Sequence, residues 1–353
     1  MSLTYPSMPG AAGRALDRRK ASILRAIVRE YVKSGQPVSS KALVERYKLQ
    51  VSAATIRNDM GVLEELGYIV QPHTSAGRIP TDLGYRWFVD NWPGTSWPEI
   101  PDQDRRAIDV VLDAEFRGLD YTLDSTSHVL STLTEAAGIA MAPPSRRNQL
   151  RRIDLIMRDA RRATMLLVAH NGEVEQGVVE FSEDMTEDLL DDLARDLNVK
   201  LKGLDFQDLA KTILGVENVA VGWKAVAEEI EDVMEAGASQ RIFRGGTANI
   251  LSRRYFSDME TVQEIVDALE HPRVLSGLMT AVTDSATVLV FIGQEVPVEQ
   301  MRACTVIFAP YGAGDDRQGS VGVIGPTRMD YPHTIAAVEA VARRLSTLLE
   351  NAG

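Results

Sequence analysis

Arg57 and Asn58 stand side by side in the stretch VSAATIRNDMGVLEELGYIVQPHTSAGRIPT, from Val51 to Thr81. Both carry hydrogen-bond forks: a guanidinium matches the O6/N7 edge of guanine in a DNA major groove, and a carboxamide matches the N6/N7 edge of adenine. At about 100° per residue, Ala54, Arg57, Asn58 and Gly61 share one face of a helix, while Ile56, Met60, Leu63 and Leu66 share the other. The apolar face is a core stripe. The opposite face lacks the Glu and Lys of an ordinary solvated surface, and its small residues let the backbone approach a second body closely. For this segment alone, an amphipathic helix with a plain exterior is the competing reading.

The neighbouring elements decide between the two. Ser52 is a good N-cap residue for a helix running to Gly67, since its hydroxyl can accept from an unpaired backbone N–H of the first turn. Upstream, Leu16, Ile23, Leu24, Ile27 and Tyr31 keep helical spacing as far as Ser34, and Gly35 is a stop signal. Pro37, Ser39 and Ser40 open a second helix through Tyr47, and Lys48 to Val51 form the tight turn of a helix-turn-helix. Downstream, Tyr68, Ile69 and Val70 favour a strand, Pro72 ends it, and His73 to Arg78 form a polar loop before Ile79 and Pro80. This predicts a hairpin wing whose tip offers His73, Thr74, Ser75 and Arg78 to phosphates or minor-groove edges. His73 taken alone reads as a surface imidazole. Thr81 caps a further helix, Asp82 to Asn91, whose Tyr85, Trp87, Phe88 and Val89 are packing residues.

Charge supports the division. Residues 14–90 hold 13 Lys+Arg against 8 Asp+Glu, a balance of +5, while the whole chain is formally −12, leaving −17 for the remainder. Attraction to nucleic acid is therefore concentrated in one module and is not a property of the whole surface.

With 353 residues, 44% of them hydrophobic, the chain is long enough for two or three domains with substantial cores. Its single cysteine, Cys304, cannot form an internal disulfide and lies in MRACTVIFAP, which reads as a buried strand. No Cys/His cluster suits zinc, and no cofactor or metal is expected. No apolar run approaches the roughly 20 residues needed to span a bilayer. Residues 1–13 lack the features of a signal peptide and read as a loose, disordered leader, so a cytoplasmic protein without membrane partners is expected.

Asn91 to Gln103, NWPGTSWPEIPDQ, interrupts all periodicity and predicts a linker, with Trp92 and Trp97 available to pin it. Beyond it, helices are expected at Gln103–Glu115 and Leu119–Ala137, then strands at Ile153–Met157, Thr164–Ala169 and Glu173–Val179. The last two strands are joined by an Asn171-Gly172 turn. Helices follow at Thr186–Asp196, Phe206–Leu214, Lys224–Ala236 and Met259–Leu269. Strands at Ala286–Ile292, Cys304–Pro310 and Ser320–Ile324 precede a last helix, His333–Leu349. Strands before and after a helical block suggest an α/β domain carrying an insertion near residues 206–275.

Enzymatic readings fail on spacing. Arg244-Gly245-Gly246-Thr247 lacks the length and the Lys-Ser/Thr of a Walker loop and reads as a turn or packing loop. Gly312 to Gly319 lies between strands, whereas a phosphate cradle needs a helix N-terminus behind it. The carboxylates from Glu183 to Asp196 read as a solvated helix face, and the five histidines form no i, i+4 pair. No enzyme is expected.

Three blocks carry a resemblance to the heat-inducible transcription repressors of the HrcA type: Ser52 to Asp90, FRGGTANIL from Phe243 to Leu251, and GSVGVIGPTRMDY from Gly319 to Tyr331. The resemblance spans Leu16 to Leu349. It implies an α+β multidomain protein with an N-terminal winged helix-turn-helix (14–91), a linker (92–103), a GAF-like α/β domain (104–205 and 276–353) and an inserted dimerisation domain (206–275). It also implies a homodimeric repressor that binds an inverted-repeat operator in double-stranded DNA upstream of chaperone genes, is assisted by chaperonin, and lets go on heat stress. Carried over residue by residue, Ser52, Thr55, Arg57 and Asn58 on the helix, with Ala54 on the same face, and His73, Thr74, Ser75 and Arg78 on the wing become the DNA-contacting candidates. No role beyond a strand-to-helix turn is read for Gly325 to Tyr331. Two other readings compete: a winged-helix regulator whose GAF-like domain senses a small molecule, and an enzyme with a winged-helix appendage.

Overall fold

A computed structural model of the chain describes residues 16–47, 51–74, 76–94, 96–112, 118–142, 149–170, 172, 174–215, 222–250, 259–271, 274–275, 278, 287–313 and 316–352. The expected leader, Ser75 and Asn171 lie outside the described residues.

Helices α1 (Arg18–Ser34), α2 (Ser40–Tyr47) and α3 (Ala53–Glu65) open the fold. Their limits are set by local chemistry. Asp17 caps α1 by accepting from Lys20 N at 2.9 Å, and Gly35, at φ 65°, ends it with its N–H on Tyr31 O. Ser39 accepts from Ala42 N at the start of α2. Ile23, Leu24 and Ile27 of α1, Leu43 of α2 and Ile56 and Leu63 of α3 are fully buried together with Ile69. A two-stranded wing follows, β1 (Ile69–Val70) against β2 (Ile79–Pro80), with Ile69 opposite Pro80. Thr81 then caps α4 (Asp82–Asp90), accepting from Gly84 N at 3.2 Å while donating to Gly67 O at 2.6 Å. Gly84 is required where α4 passes the wing, because a Cβ there would lie 2.1 Å from Tyr68 O.

After the linker come α5 (Asp102–Leu112) and α6 (Leu119–Thr134), then strand β3 (Ala137–Met141). The expected helix through Ala137 ends early: Glu135 turns left-handed at φ 53° and the chain enters a strand buried at every position. A central strand has no polar face, so AGIAM shows no alternation in sequence.

The chain divides into two compact units, one running to Met141 and resuming at Phe243, the other Ala142–Ile242. The interrupting unit is thus not co-extensive with the expected insertion at 206–275. It holds an antiparallel sheet of β4 (Leu150–Asp159), β5 (Arg162–Ala169) and β6 (Val174–Glu180), then α7 (Glu187–Leu201), α8 (Phe206–Leu214) and α9 (Trp223–Gln240). The helices share one core with the sheet, including Ile153, Met165, Leu167, Leu197, Leu209 and Val226, which is why strands and helices segregate as one body. Asn198 of α7 clamps β4, accepting from Ile153 N at 3.0 Å and donating to Ile153 O at 2.6 Å. Glu229 of α9 accepts from Val178 N of β6 at 2.7 Å, and burial raises its carboxyl above the usual range.

The first unit resumes with β7 (Ile242–Gly245), α10 (Met259–Glu270), β8 (Leu289–Ile292), β9 (Cys304–Ala313), β10 (Asp316–Pro326) and a long final helix α11 (Tyr331–Ala352). Its five-stranded sheet runs β7-β3-β10-β9-β8, with β10 antiparallel to both β3 and β9. The glycines expected between strands at 312–319 fall partly inside β9 and β10. Gly319 opposes Tyr311, whose ring would meet a Cβ at 2.3 Å.

Candidate nucleic-acid interface

Helix α3 is fixed at its start, along its length and at its end. At the start, Ser52 accepts from Thr55 N at 3.2 Å, and its hydroxyl lies 3.0 Å from that of Thr55. Along its length, Asp59 is buried on the core side and receives a fork from Arg19 of α1, Nε at 2.6 Å and Nη2 at 3.0 Å, with Lys20 Nζ 3.7 Å away. A buried carboxylate requires such a partner, so this pair locks the rotation of α3 about its axis. Arg57 and Asn58, two and one residues earlier, are consequently turned to solvent with Ser52 and Ala54, while Thr55 and Gly61 are half-buried. Neither Arg57 nor Asn58 engages another side chain among the described residues. A Cβ added at Gly61 would meet nothing within 4 Å.

At the end of α3, Glu64 organises the wing. Its carboxylate accepts from Gln71 N at 3.0 Å and from Arg78, Nε at 3.0 Å and Nη2 at 2.9 Å. Gln71 Nε2 in turn donates to Thr74 O and Ala76 O, both at 2.9 Å, and Ala76 N closes the turn on His73 O. The backbone of Arg78 exchanges two hydrogen bonds with Val38, at 2.8 and 2.9 Å. His73 and Thr74 are exposed at the tip, whereas Arg78 is half-buried and ion-paired inside the module. Ser75 lies outside the described residues. The structure therefore brings Ser52, Ala54, Thr55, Arg57 and Asn58 onto one helix end and His73 and Thr74 onto one loop, with Arg78 as the strut between wing and helix.

Sequence reasoning passed over Asp59, Glu64 and Gln71. Asp59 carried a signal, an acid at a core-facing position of the helical period. Glu64 and Gln71 carried none, because their partners are set by the turn between helix and wing.

The basic excess of the module is partly spent internally. Arg19 and Lys20 pair with Asp59, Arg46 with Glu30, Arg78 with Glu64 and Arg86 with Glu295, while Arg25 and Arg29 lie over the rings of Trp87 and Trp92. Arg57 is the basic residue left on the outward face of α3.

The other conspicuous motifs resolve into packing. Gly245 and Gly246 lie against α6, where a Cβ would fall 2.5 Å from His128 N and 1.5 Å from Ser131 Oγ respectively; Gly246 is also left-handed at φ 65°. Asn249 Nδ2 donates to Ser131 Oγ at 2.9 Å. In GPTRMDY, Asp330 caps α11 by accepting from His333 N, and the buried Tyr331 hydroxyl donates to Thr327 O at 2.6 Å. Cys304 is fully buried, and desolvation pushes its thiol up to about 12. Among the described residues no group of three His, Cys, Asp or Glu is placed to hold a metal ion, and no helix is long and apolar enough to cross a membrane.

Comparison with known proteins agrees with this layout. Residues 25–81 match the DeoR-like helix-turn-helix domain, and residues 120–335 match the HrcA protein C terminal domain. The chain is 38% identical over 340 residues to the heat-inducible transcription repressor HrcA of Thermobifida fusca (strain YX), covering 95% of this chain and 97% of that one. It is 40% identical over 337 residues to the protein of the same name from Pseudarthrobacter chlorophenolicus, covering 94% and 98%. A crystal structure of a hypothetical protein shares the fold, with a TM-score of 0.60 and 24% identity over 96% of this chain and 100% of that one. With a family model across most of the chain beyond the linker and relatives of this identity along nearly its whole length, the chain belongs to the HrcA family.

Proposed function

We propose that the protein represses heat-shock genes by binding, as a homodimer, an inverted-repeat operator in double-stranded DNA. The observation that carries the reading is the outward face of α3, where Arg57 and Asn58 project without internal partners from a helix locked by Asp59 and capped by Ser52. In this reading the N-terminal half of α3 enters the major groove, with Arg57 and Asn58 reading base edges and Ser52, Ala54 and Thr55 at the groove wall. His73, Thr74 and Ser75 meet the flanking backbone or minor groove. Arg78, held by Glu64, acts on DNA through the wing it fixes.

The five-stranded domain is read as GAF-like, and the interrupting body as the dimerisation element. On its three-stranded sheet, Ile156 and Val174 are each 54% exposed, a cost that a second copy would remove. Release on heating follows from marginal stability: unfolding enthalpy is large, so a dimer near its threshold shifts population steeply over several degrees, and chaperonin would restore the folded fraction. The test is binding of the purified protein to an inverted-repeat duplex from its own chaperone promoter against a scrambled duplex, at stated salt, with and without chaperonin. Selective binding that chaperonin strengthens supports the reading. Equal binding to both duplexes refutes it, and selective binding undiminished by heating the protein alone refutes direct heat sensing.

A further inference from the structure

The DNA-binding module is bolted to the five-stranded domain, and the bolt is made of buried charge. Arg86 of α4, with a side chain only 11% exposed, donates through Nε to Glu295 Oε1 at 2.8 Å, through Nη2 to Glu295 Oε2, and again through Nη2 to Val290 O at 2.5 Å. Glu295 is itself 14% exposed, and its Oε2 also accepts from Ile292 N at 2.9 Å. One turn earlier, Asp82 accepts from Gln294 N at 3.1 Å. Between them Gly293 turns left-handed at φ 56°, where a Cβ would lie 1.9 Å from Asp82 Oδ2. At the other end of the joint, Arg328 lies over the Tyr31 ring with 6.0 Å to its centroid, beside the C-terminal turn of α1. The connecting segment is held as well: Trp92 and Trp97 stack at 5.3 Å and Arg29 lies over Trp92.

A loose tether would suffice to keep a DNA-binding head near its operator, since tethering raises effective concentration without fixing orientation. Withdrawing two charges from water to fix that orientation carries a desolvation cost that their attraction has to offset, so the pair is a weak source of net stability and a defined link between the two surfaces. The joint uses α4 and the end of α1, and it leaves Ser52, Arg57, Asn58, His73 and Thr74 exposed. The head is therefore held in a state whose reading face is free.

We propose that this joint sets which half-site spacing the protein accepts, with Arg86 and Glu295 as the positioning pair that fixes the angle of each DNA-binding head. The proposal rests on the dimeric operator reading above. Each base pair added between half-sites moves one of them by about 3.4 Å and turns it by about 34°. Heads bolted to their five-stranded domains cannot follow that rotation at the joint; heads freed there can.

The experiment uses the full-length protein and a set of duplexes carrying the inverted repeat with its natural spacer and with one, two or three added base pairs. Kd is read by fluorescence anisotropy at fixed salt for wild type, Glu295→Gln and Arg328→Ala, each checked for wild-type circular dichroism. Wild type is expected to lose roughly tenfold or more in affinity by the second added pair. Glu295→Gln should bind the natural spacing several-fold more weakly and show a spacer penalty reduced to about threefold or less. Arg328→Ala should flatten the profile in the same direction, and it decides the matter if Glu295→Gln does not fold. A folded variant with the wild-type spacing profile overturns the proposal, as does a wild type indifferent to spacing. Tighter binding by the variants at every spacing overturns it too, because the joint would then be holding the heads away from DNA. Wild type that selects no inverted repeat at any spacing strikes the operator reading itself and not the joint.

Discussion

Arg57 on α3 and Arg86 on α4 lie 29 positions apart in one small module, and their surroundings are opposite. Arg57 is exposed and meets no other described side chain. Arg86 is almost fully covered and spends its donors on Glu295, Asp90 and the carbonyl of Val290. The same guanidinium is an internal fastener in one place and an unspent fork in the other. Electrostatics follows for Arg86: burial penalises its cation, yet Glu295 and then Asp90 more than compensate, and the pKa of Arg86 ends above the ordinary value. The comparison separates an inward-facing surface, which fixes the head on its body, from an outward-facing one that awaits a polyanion.

Substitutions at both faces sharpen or break that division. The largest effect is expected from Arg86→Ala, which strands the buried Glu295 carboxylate; urea unfolding should show a loss of about 3–5 kcal/mol in stability. A loss below about 1 kcal/mol would mean that water or another cation replaces the guanidinium. Arg57→Ala should reverse the pattern: about 1–3 kcal/mol lost on the correct operator, relaxed discrimination at one base pair, and a melting curve unchanged within about 0.5 kcal/mol. Equal weakening on scrambled DNA would assign Arg57 to phosphate and not to base reading. Ser52→Ala should cost about 1 kcal/mol in stability through the lost N-cap and weaken DNA binding in parallel. The smallest effect is a gain. Gly61→Ala should stabilise the fold by up to about 1 kcal/mol, because nothing inside the protein opposes the added methyl. If α3 lies close to DNA at that point, operator affinity falls although the fold is firmer; unchanged affinity would remove Gly61 from the interface.

How much of this was legible in the sequence depends on how local each signal is. Helix α3 and its wing announced themselves through Ser52, the 56-60-63 stripe, the Gly67 stop and the Pro72 break, all within a few turns of the residues they position. Phe206–Leu214 was bounded as it is observed, because its apolar spacing and flanking residues are self-contained. Strand β3 was hidden because a strand buried on both faces shows no alternation, and a run of small apolar residues after a helix continues the helical pattern as well as it starts a strand. The extent of the interrupting unit was hidden for a related reason. Its helices and its sheet share one core, which no single segment reveals. In sequence Arg78 stands beside a polar loop, and only the folded hairpin brings it onto Glu64, 14 positions earlier. The joint was beyond reach, since Arg86 and Glu295 are 209 positions apart. What brings them together is the whole tertiary fold.

The lone thiol offers a clock. Cys304 begins β9, which is paired on both sides in the five-stranded sheet, and burial holds its thiol far above the ordinary range, so the thiolate is scarce at neutral pH. Reagents that need that thiolate must wait for the sheet to part, so the rate at which a thiol label enters the native protein measures how often that sheet opens. Followed across the temperatures at which operator binding fades, labelling at this one atom would tell a repressor that loses its grip by unfolding from one that loses it while its core stays shut.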